Sequence, residues 1–115
     1  MEQPRKPRLA EPRVWTLLDH TGERVGYVEL AQEHDGRIMR ITNLMVEDEY
    51  RRRGYGSLLL SKARTHAKTV RSESIRAYVS GINVGAVRFL LRQGMTLIGF
   101  SMLENELMLE LGMKV

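Results

Sequence analysis

The sequence predicts an α+β domain with the element order βββαβαββ. Three runs with strand periodicity, joined by short turn clusters, fill the first part of the chain and read as an antiparallel meander. The apolar period then changes to that of a helix at Ser57. Near the C-terminus two apolar runs are split by Glu104-Asn105, the pattern of a closing hairpin.

Residues 1–12 hold all 3 prolines and several charges without periodicity, and read as a flexible basic arm before a single domain over 13–115. Arg13 to Leu18 alternates around Val14, Thr16 and Leu18, a first strand. After the turn cluster Asp19-His20-Thr21-Gly22, Arg24 to Leu30 is a second strand through Val25, Tyr27, Val28 and Leu30. Gln32 to Gly36 is the next turn, and Arg37 to Val46 a longer strand with Ile38, Ile41, Leu44 and Val46. Leu59, Ala63, Ala67 and Val70 recur at helical spacing, so Ser57 to Thr69 is an amphipathic helix with Lys62, Arg64 and Lys68 on its wet side. Ser74 to Ser80 is a strand through Ile75, Ala77 and Val79. Asn83 opens a second helix with an apolar face of Ala86, Val87, Leu90 and Leu91, and Gly94 stops it as a left-handed C-cap. Met95 to Leu103 and Glu106 to Met113 complete the hairpin. Met45, Met95 and Met102 read as core.

The size of 115 residues fits one domain. Hydrophobic residues make up 43% and charged residues 28%, a globular mix. No apolar run approaches the roughly 20 residues of a membrane span. The first residues lack the apolar stretch of a secretory signal. With 0 Cys there is neither a disulfide nor a thiolate metal site. These features fit a cytoplasmic protein. No His/Asp/Glu cluster has metal-ligand spacing, so no metal is expected. His20, His34 and His66 are scattered and read as solvated. The net charge of +4, from 18 Lys+Arg against 14 Asp+Glu, favours anionic partners. Nucleic acid could meet Arg5-Lys6-Pro7-Arg8 and Arg51 to Arg53, but aromatics are only 6%, too few for stacking platforms.

The segment Arg51-Arg52-Arg53-Gly54-Tyr55-Gly56-Ser57 stands between a strand and a helix. Such a glycine-rich turn aims backbone N–H groups at one point, and the helix N-terminus adds partial positive charge. A phosphate or pyrophosphate fits there. No Gly-Lys-Ser/Thr follows, so it is not a P-loop. No third glycine stands where a dinucleotide loop needs one, and the preceding strands are antiparallel. The same residues also read as a solvated basic turn, and Asn83 as a helix N-cap.

Ile41 to Leu60 resembles the acyl-CoA-binding motif of the GNAT superfamily of N-acetyltransferases. The family pattern Arg/Gln-x-x-Gly-x-Gly/Ala is matched by Arg51-Arg52-Arg53-Gly54-Tyr55-Gly56, with the apolar strand before it and Leu59 after it. A second block, Val79, Asn83, Ala86 and Gly94, keeps the family's order and spacing, with Met95 where phenylalanine is usual. The resemblance spans residues 13–112. It implies acetyl-CoA as cosubstrate, an amine acceptor, and direct transfer between them. It also implies roles by position. The amides of Arg53, Gly54, Tyr55, Gly56 and Ser57 would hold the pyrophosphate of coenzyme A, with Arg51 and Arg52 beside them. Backbone groups of Met45 and Val46 would pair with the pantetheine arm, where two family strands splay apart. Asn83 would contact the pantetheine or thioester end, and Arg88 or Arg92 the adenosine phosphates.

Three departures accompany the resemblance. Only the short arm precedes the first matched strand, where the family has a strand and two helices walling the acceptor site. The usual tyrosine that protonates the departing thiolate is Leu90 here, and Tyr78 is the one nearby phenol. The glutamate base common on the long strand is replaced, since Arg40 and Thr42 occupy the corresponding positions. A GNAT-like module that holds acyl-CoA without turnover is therefore the alternative to an enzyme. A homodimer is also expected, because the acceptor side is open and Leu107 to Leu111 reads as an apolar edge strand.

Overall fold

The computed structural model describes residues 11–33 and 35–115, so residues 1–10 of the expected arm, and His34, lie outside the described residues. Six strands form one sheet: β1 (Arg13–Leu18), β2 (Arg24–Gln32), β3 (Ile38–Val46), β4 (Ser74–Ser80), β5 (Thr96–Leu103) and β6 (Glu106–Lys114). Their order across the sheet is β1-β2-β3-β4-β6-β5. The helices are α1 (Tyr55–Thr69) and α2 (Val84–Arg92). The element order is that expected from the sequence, and β1 and β4 have the expected bounds. The link Glu47-Asp48-Glu49 folds into a short 3₁₀ turn over Asp48–Tyr50, which is too brief to leave a periodic signal.

The meander pairs antiparallel, β1 with β2 and β2 with β3, and β3 then pairs parallel with β4. A parallel pair needs a crossover, which α1 supplies. The second crossover, β4-α2-β5, moves across the sheet in the same direction. Right-handed crossovers in one direction place both helices on one face. Their contact confirms it: a Cβ at Gly56 in α1 would lie 3.1 Å from the Phe89 ring in α2.

The core fills the space between that face and the helices. Val28, Leu30, Met39, Ile41, Ile75, Ala77, Val79 and Leu111 come from the sheet, and Leu59, Leu60, Ala63, Ala67 and Leu90 from the helices. The alanines on α1 let its axis lie close to the strands. α1 ends where Arg71 turns left-handed (φ 62°) and the Ser72 N–H reaches back to the Ala67 carbonyl at 2.9 Å. The β5–β6 hairpin closes through Glu104 (φ 49°) and Asn105 (φ 65°), the left-handed pair a two-residue turn requires.

Four expectations are corrected. β6 is not an edge strand: it lies between β4 and β5 and is paired along both sides. The last strand inserts into the sheet, so the free apolar edge belongs to β5. Met102, on that edge, is 65% exposed and not core. On α2 the buried face takes in Phe89, which turns toward α1, while Leu91 is exposed. His66 is not solvated: it is half-buried with its ring centroid 4.4 Å from that of Trp15.

Burial lowers the His66 pKa below its ordinary 6.5, with repulsion from Arg13 and Lys62 adding to the effect. The fold thus favours the neutral ring. Its contribution is present above the unfolded value and is lost as pH falls below 6.5 toward the folded value. Thermal midpoints are expected to drop as pH is lowered from about 7.5 to about 5, and His66→Gln should flatten that part of the profile.

Candidate functional site

The site begins with one extra residue. Glu29 pairs with Asn43 and Leu30 with Ile41, so Thr42 is a β-bulge on β3. Its hydroxyl pins the bulge, 3.2 Å from the Glu29 carbonyl and 2.7 Å from the Glu29 carboxylate. A bulge bends its strand. The β3–β4 pairing accordingly covers only Ile38–Ile41 against Ser74–Ala77. Beyond it, β3 follows β2 to Val46 while β4 follows β6 to Ser80, and a gap opens from Thr42 and Tyr78 onward.

The backbone facing this gap is set by strand alternation. The Glu47 N–H donates to the Val25 carbonyl at 2.8 Å, so Glu47, and Met45 two residues earlier, face β2. Leu44 and Val46 face the gap. Of the two residues expected to offer main-chain groups there, Val46 does so and Met45 is turned inward to the meander. The Val46 carbonyl accepts a hydrogen bond from Arg51 Nε at 3.2 Å.

The loop past β3 carries the glycine turn. Gly54 is the N-cap of α1 with φ 86°, a left-handed conformation that suits glycine. A Cβ there would meet nothing within 4 Å. Leu58 N–H is the first to bond back, to the Gly54 carbonyl at 3.1 Å. The N–H groups of Tyr55, Gly56 and Ser57 therefore have no helical acceptor. No side chain caps this end, and no acidic residue lies in its first turn. Arg51, Arg52 and Arg53 surround it, all exposed. Arg52 is itself left-handed (φ 63°), and Arg51 Nη2 lies 3.2 Å from Asp48. The result is an exposed cluster of main-chain donors with positive charge around it.

The loop is anchored from behind. Tyr50 donates to Asp19 Oδ2 at 2.6 Å, while Asp19 Oδ1 accepts from Thr21 and Glu23 of the β1–β2 turn. Those bonds, Thr21 first, hold the Asp19 carboxyl well below the usual carboxylate range. The same pairing pushes the Tyr50 phenol up to about 12, so it stays a donor. The Tyr50 ring meets Tyr55 edge-on at 5.9 Å and lies 5.8 Å from the Arg53 guanidinium. Gln93 Nε2 donates to Ser57 Oγ at 2.9 Å and ties the end of α2 to the start of α1.

Asn83 does cap α2, its Oδ1 accepting from Ala86 N–H at 3.1 Å. Asn83 is exposed. Asn83→Ala is expected to lower stability by about 1 kcal/mol, read from chemical unfolding. Arg88 and Arg92 are exposed on α2.

The sheet face away from the helices carries a polar network. Arg40, 7% exposed, bonds Glu33 through Nε and Nη2 and stacks over the Tyr78 ring with its guanidinium carbon 4.4 Å from the centroid. Arg76 pairs with Glu110 at 3.2 Å. Tyr78 is thus on this face, at the mouth of the gap. Hydrogen bonding to Glu110 raises its phenol pKa, with burial adding to the shift. A few residues along, Asn43 donates to the Tyr27 hydroxyl at 2.9 Å, next to Thr42 and Glu29. The Glu29–Thr42 contact was not legible in the sequence, because nothing in one strand's pattern states what its neighbour places opposite.

Among the described residues, no helix is long and apolar enough to cross a membrane. Nourseothricin acetyltransferase superposes with a TM-score of 0.83 at 22% identity, covering 90% of this chain and 65% of its own. An acetyltransferase structure from Bacillus anthracis str. Ames in complex with acetyl coenzyme A gives a TM-score of 0.82 at 22% identity, covering 89% of this chain and 62% of its own. Spermidine/spermine N-acetyltransferase from Vibrio cholerae gives 0.77 at 18%, covering 90% and 65%. The chain thus spans 62–65% of the length of these three structures. No curated protein matches it. The family model described as the acetyltransferase (GNAT) family matches residues 2–95, most of the sequence, and the chain belongs to that family.

Proposed function

We propose that the chain binds acetyl-CoA and transfers the acetyl group to a primary amine by direct attack. The observation that carries this reading is the uncapped α1 N-terminus, with the free N–H groups of Tyr55, Gly56 and Ser57 beside a gap in the sheet. The diphosphate would sit on those groups, with Arg51, Arg52 and Arg53 raising the local potential. The Leu44 and Val46 main chain would take the pantetheine arm as an added strand. That placement requires Arg51 to share or release the Val46 carbonyl. Asn83, whose Oδ1 caps α2, would contact the same arm through its amide nitrogen. Acetyl-CoA supplies a thioester carbonyl open to attack by an amine lone pair. The Val46 N–H, facing the gap, would stabilise the charge that develops on that carbonyl oxygen. Holding both reactants in line supplies up to about 7–11 kcal/mol. A fold neighbour solved with acetyl coenzyme A and another named a spermidine/spermine N-acetyltransferase support this choice of donor and acceptor class.

Isothermal titration with acetyl-CoA is expected to give binding, and thiol release on adding amines is expected to follow. No heat at millimolar ligand removes the reading. Binding without thiol release across small amines, peptides and proteins would favour the second reading, a module that holds acyl-CoA. One feature favours that alternative: Leu90 is buried in the core where the family's proton donor stands.

The reading also includes a second copy. The free edge of β5, with Phe100 75% exposed and Met102 beside it, is an apolar strand in need of cover. Light scattering after size exclusion is expected to give a dimer. A monomer removes this part alone.

A further inference from the structure

We infer that Glu29, on β2, is the group that receives the acceptor's nitrogen and takes its proton. The inference rests on the acetyltransferase reading and adds a residue that no motif assigns. Three observations place it. The Glu29 carboxylate accepts from the Thr42 hydroxyl at 2.7 Å, and Thr42 is the bulge at which the gap opens. Both lie on the face the helices leave uncovered, beside Asn43 and the Tyr27 hydroxyl. The other carboxylates of that region are committed: Glu33 to Arg40, and Glu110 to Arg76. Glu29 has no cationic partner among the described residues.

The two positions that correspond to the family's usual base cannot do this work, because one holds Thr42 and the other Arg40, stacked on Tyr78 and bonded to Glu33. A cation there repels an incoming ammonium. Glu29 reaches the same opening from the neighbouring strand. Its half-buried carboxylate attracts the ammonium and holds it at the edge of the gap. Deprotonation frees the nitrogen lone pair, with the proton passing to Glu29 directly or through one water. The nitrogen then bonds to the thioester carbon, the carbon–sulfur bond breaks, and the thiolate leaves with that electron pair. The second nitrogen proton is released as the amide forms and ends on the thiolate. Thr42 is a positioning residue in this arrangement, since its hydroxyl fixes the carboxylate without touching the acceptor.

Glu29→Gln tests the assignment, because the amide oxygen still accepts from Thr42 and the bulge stays pinned. The probes are acetyl-CoA with spermidine, butylamine or methoxyamine, followed by thiol release. With spermidine and butylamine, kcat/KM at pH 7 is expected to fall about 100-fold, the lower range for loss of a general base. The deficit should shrink as pH rises and the amines lose their own proton. Methoxyamine, already neutral at pH 7, should lose much less. Acetyl-CoA affinity should stay within about twofold. Thr42→Val removes the bond that positions the carboxylate but leaves the base itself, and should cost much less than Glu29→Gln. If Glu29→Gln retains wild-type kcat/KM within about threefold, or if Thr42→Val falls as far, the assignment is overturned and the acetyltransferase reading stands. Wild type that binds acetyl-CoA but releases no thiol with these three amines or with peptides and proteins overturns both.

Discussion

Gly54→Glu is expected to weaken acetyl-CoA binding at least about 100-fold, roughly 2.8 kcal/mol. The fold itself tolerates the change. A Cβ at Gly54 meets nothing within 4 Å, so packing is untouched. The left-handed conformation, φ 86°, costs an L-residue about 1–2 kcal/mol. Circular dichroism should therefore show a folded protein. The new carboxylate, however, stands at the N-terminus of α1, where the N–H groups of Tyr55, Gly56 and Ser57 have no helical acceptor. It satisfies those donors itself and repels a diphosphate. Gly54→Ala separates the two effects, since it carries the strain without the charge and should bind within about tenfold of wild type. Titration calorimetry on both variants reads the difference.

Gly26→Ala is expected to destabilise the fold by about 3 kcal/mol, at the upper end for overpacking. A Cβ at this position would lie 2.4 Å from the Met45 carbonyl oxygen, 3.1 Å from Val46 Cα and 3.2 Å from Leu59 Cδ1. Two of the three are backbone atoms and cannot turn aside as a side chain can. Relief requires β2 and β3 to part in the segment that carries Val46 and faces the gap. Urea unfolding should show a lower midpoint with an unchanged slope. A loss below about 1 kcal/mol would mean that the pair of strands yields more readily than its register implies.

Much of this architecture was legible in the sequence. The period-2 runs gave β1 and β4 to the residue, and the switch to helical spacing found α1 within two residues of its start. Gly54 stood out because the turn chemistry of glycine is local. The missing parts are those that depend on what lies across a strand or between helices. β6 entered the sheet beside β4, which no local pattern of Leu107 to Leu111 could reveal. Thr42 reads as an ordinary strand residue until its partner Glu29 is known. Phe89 displaced Leu91 from the buried face of α2 because Gly56 leaves room for its ring on α1. His66 found Trp15 through tertiary packing alone. At the candidate site, the turn before α1 was visible from its glycines, whereas the orientation of Met45 and Val46 required the β2–β3 ladder.

A crystal structure with acetyl-CoA bound tests the central claim most directly. The diphosphate is predicted to lie within hydrogen-bond distance, about 2.7–3.2 Å, of the N–H groups of Tyr55, Gly56 and Ser57, with the pantetheine arm entering beside Val46. A carrier found elsewhere on the molecule, with that loop empty, would contradict it.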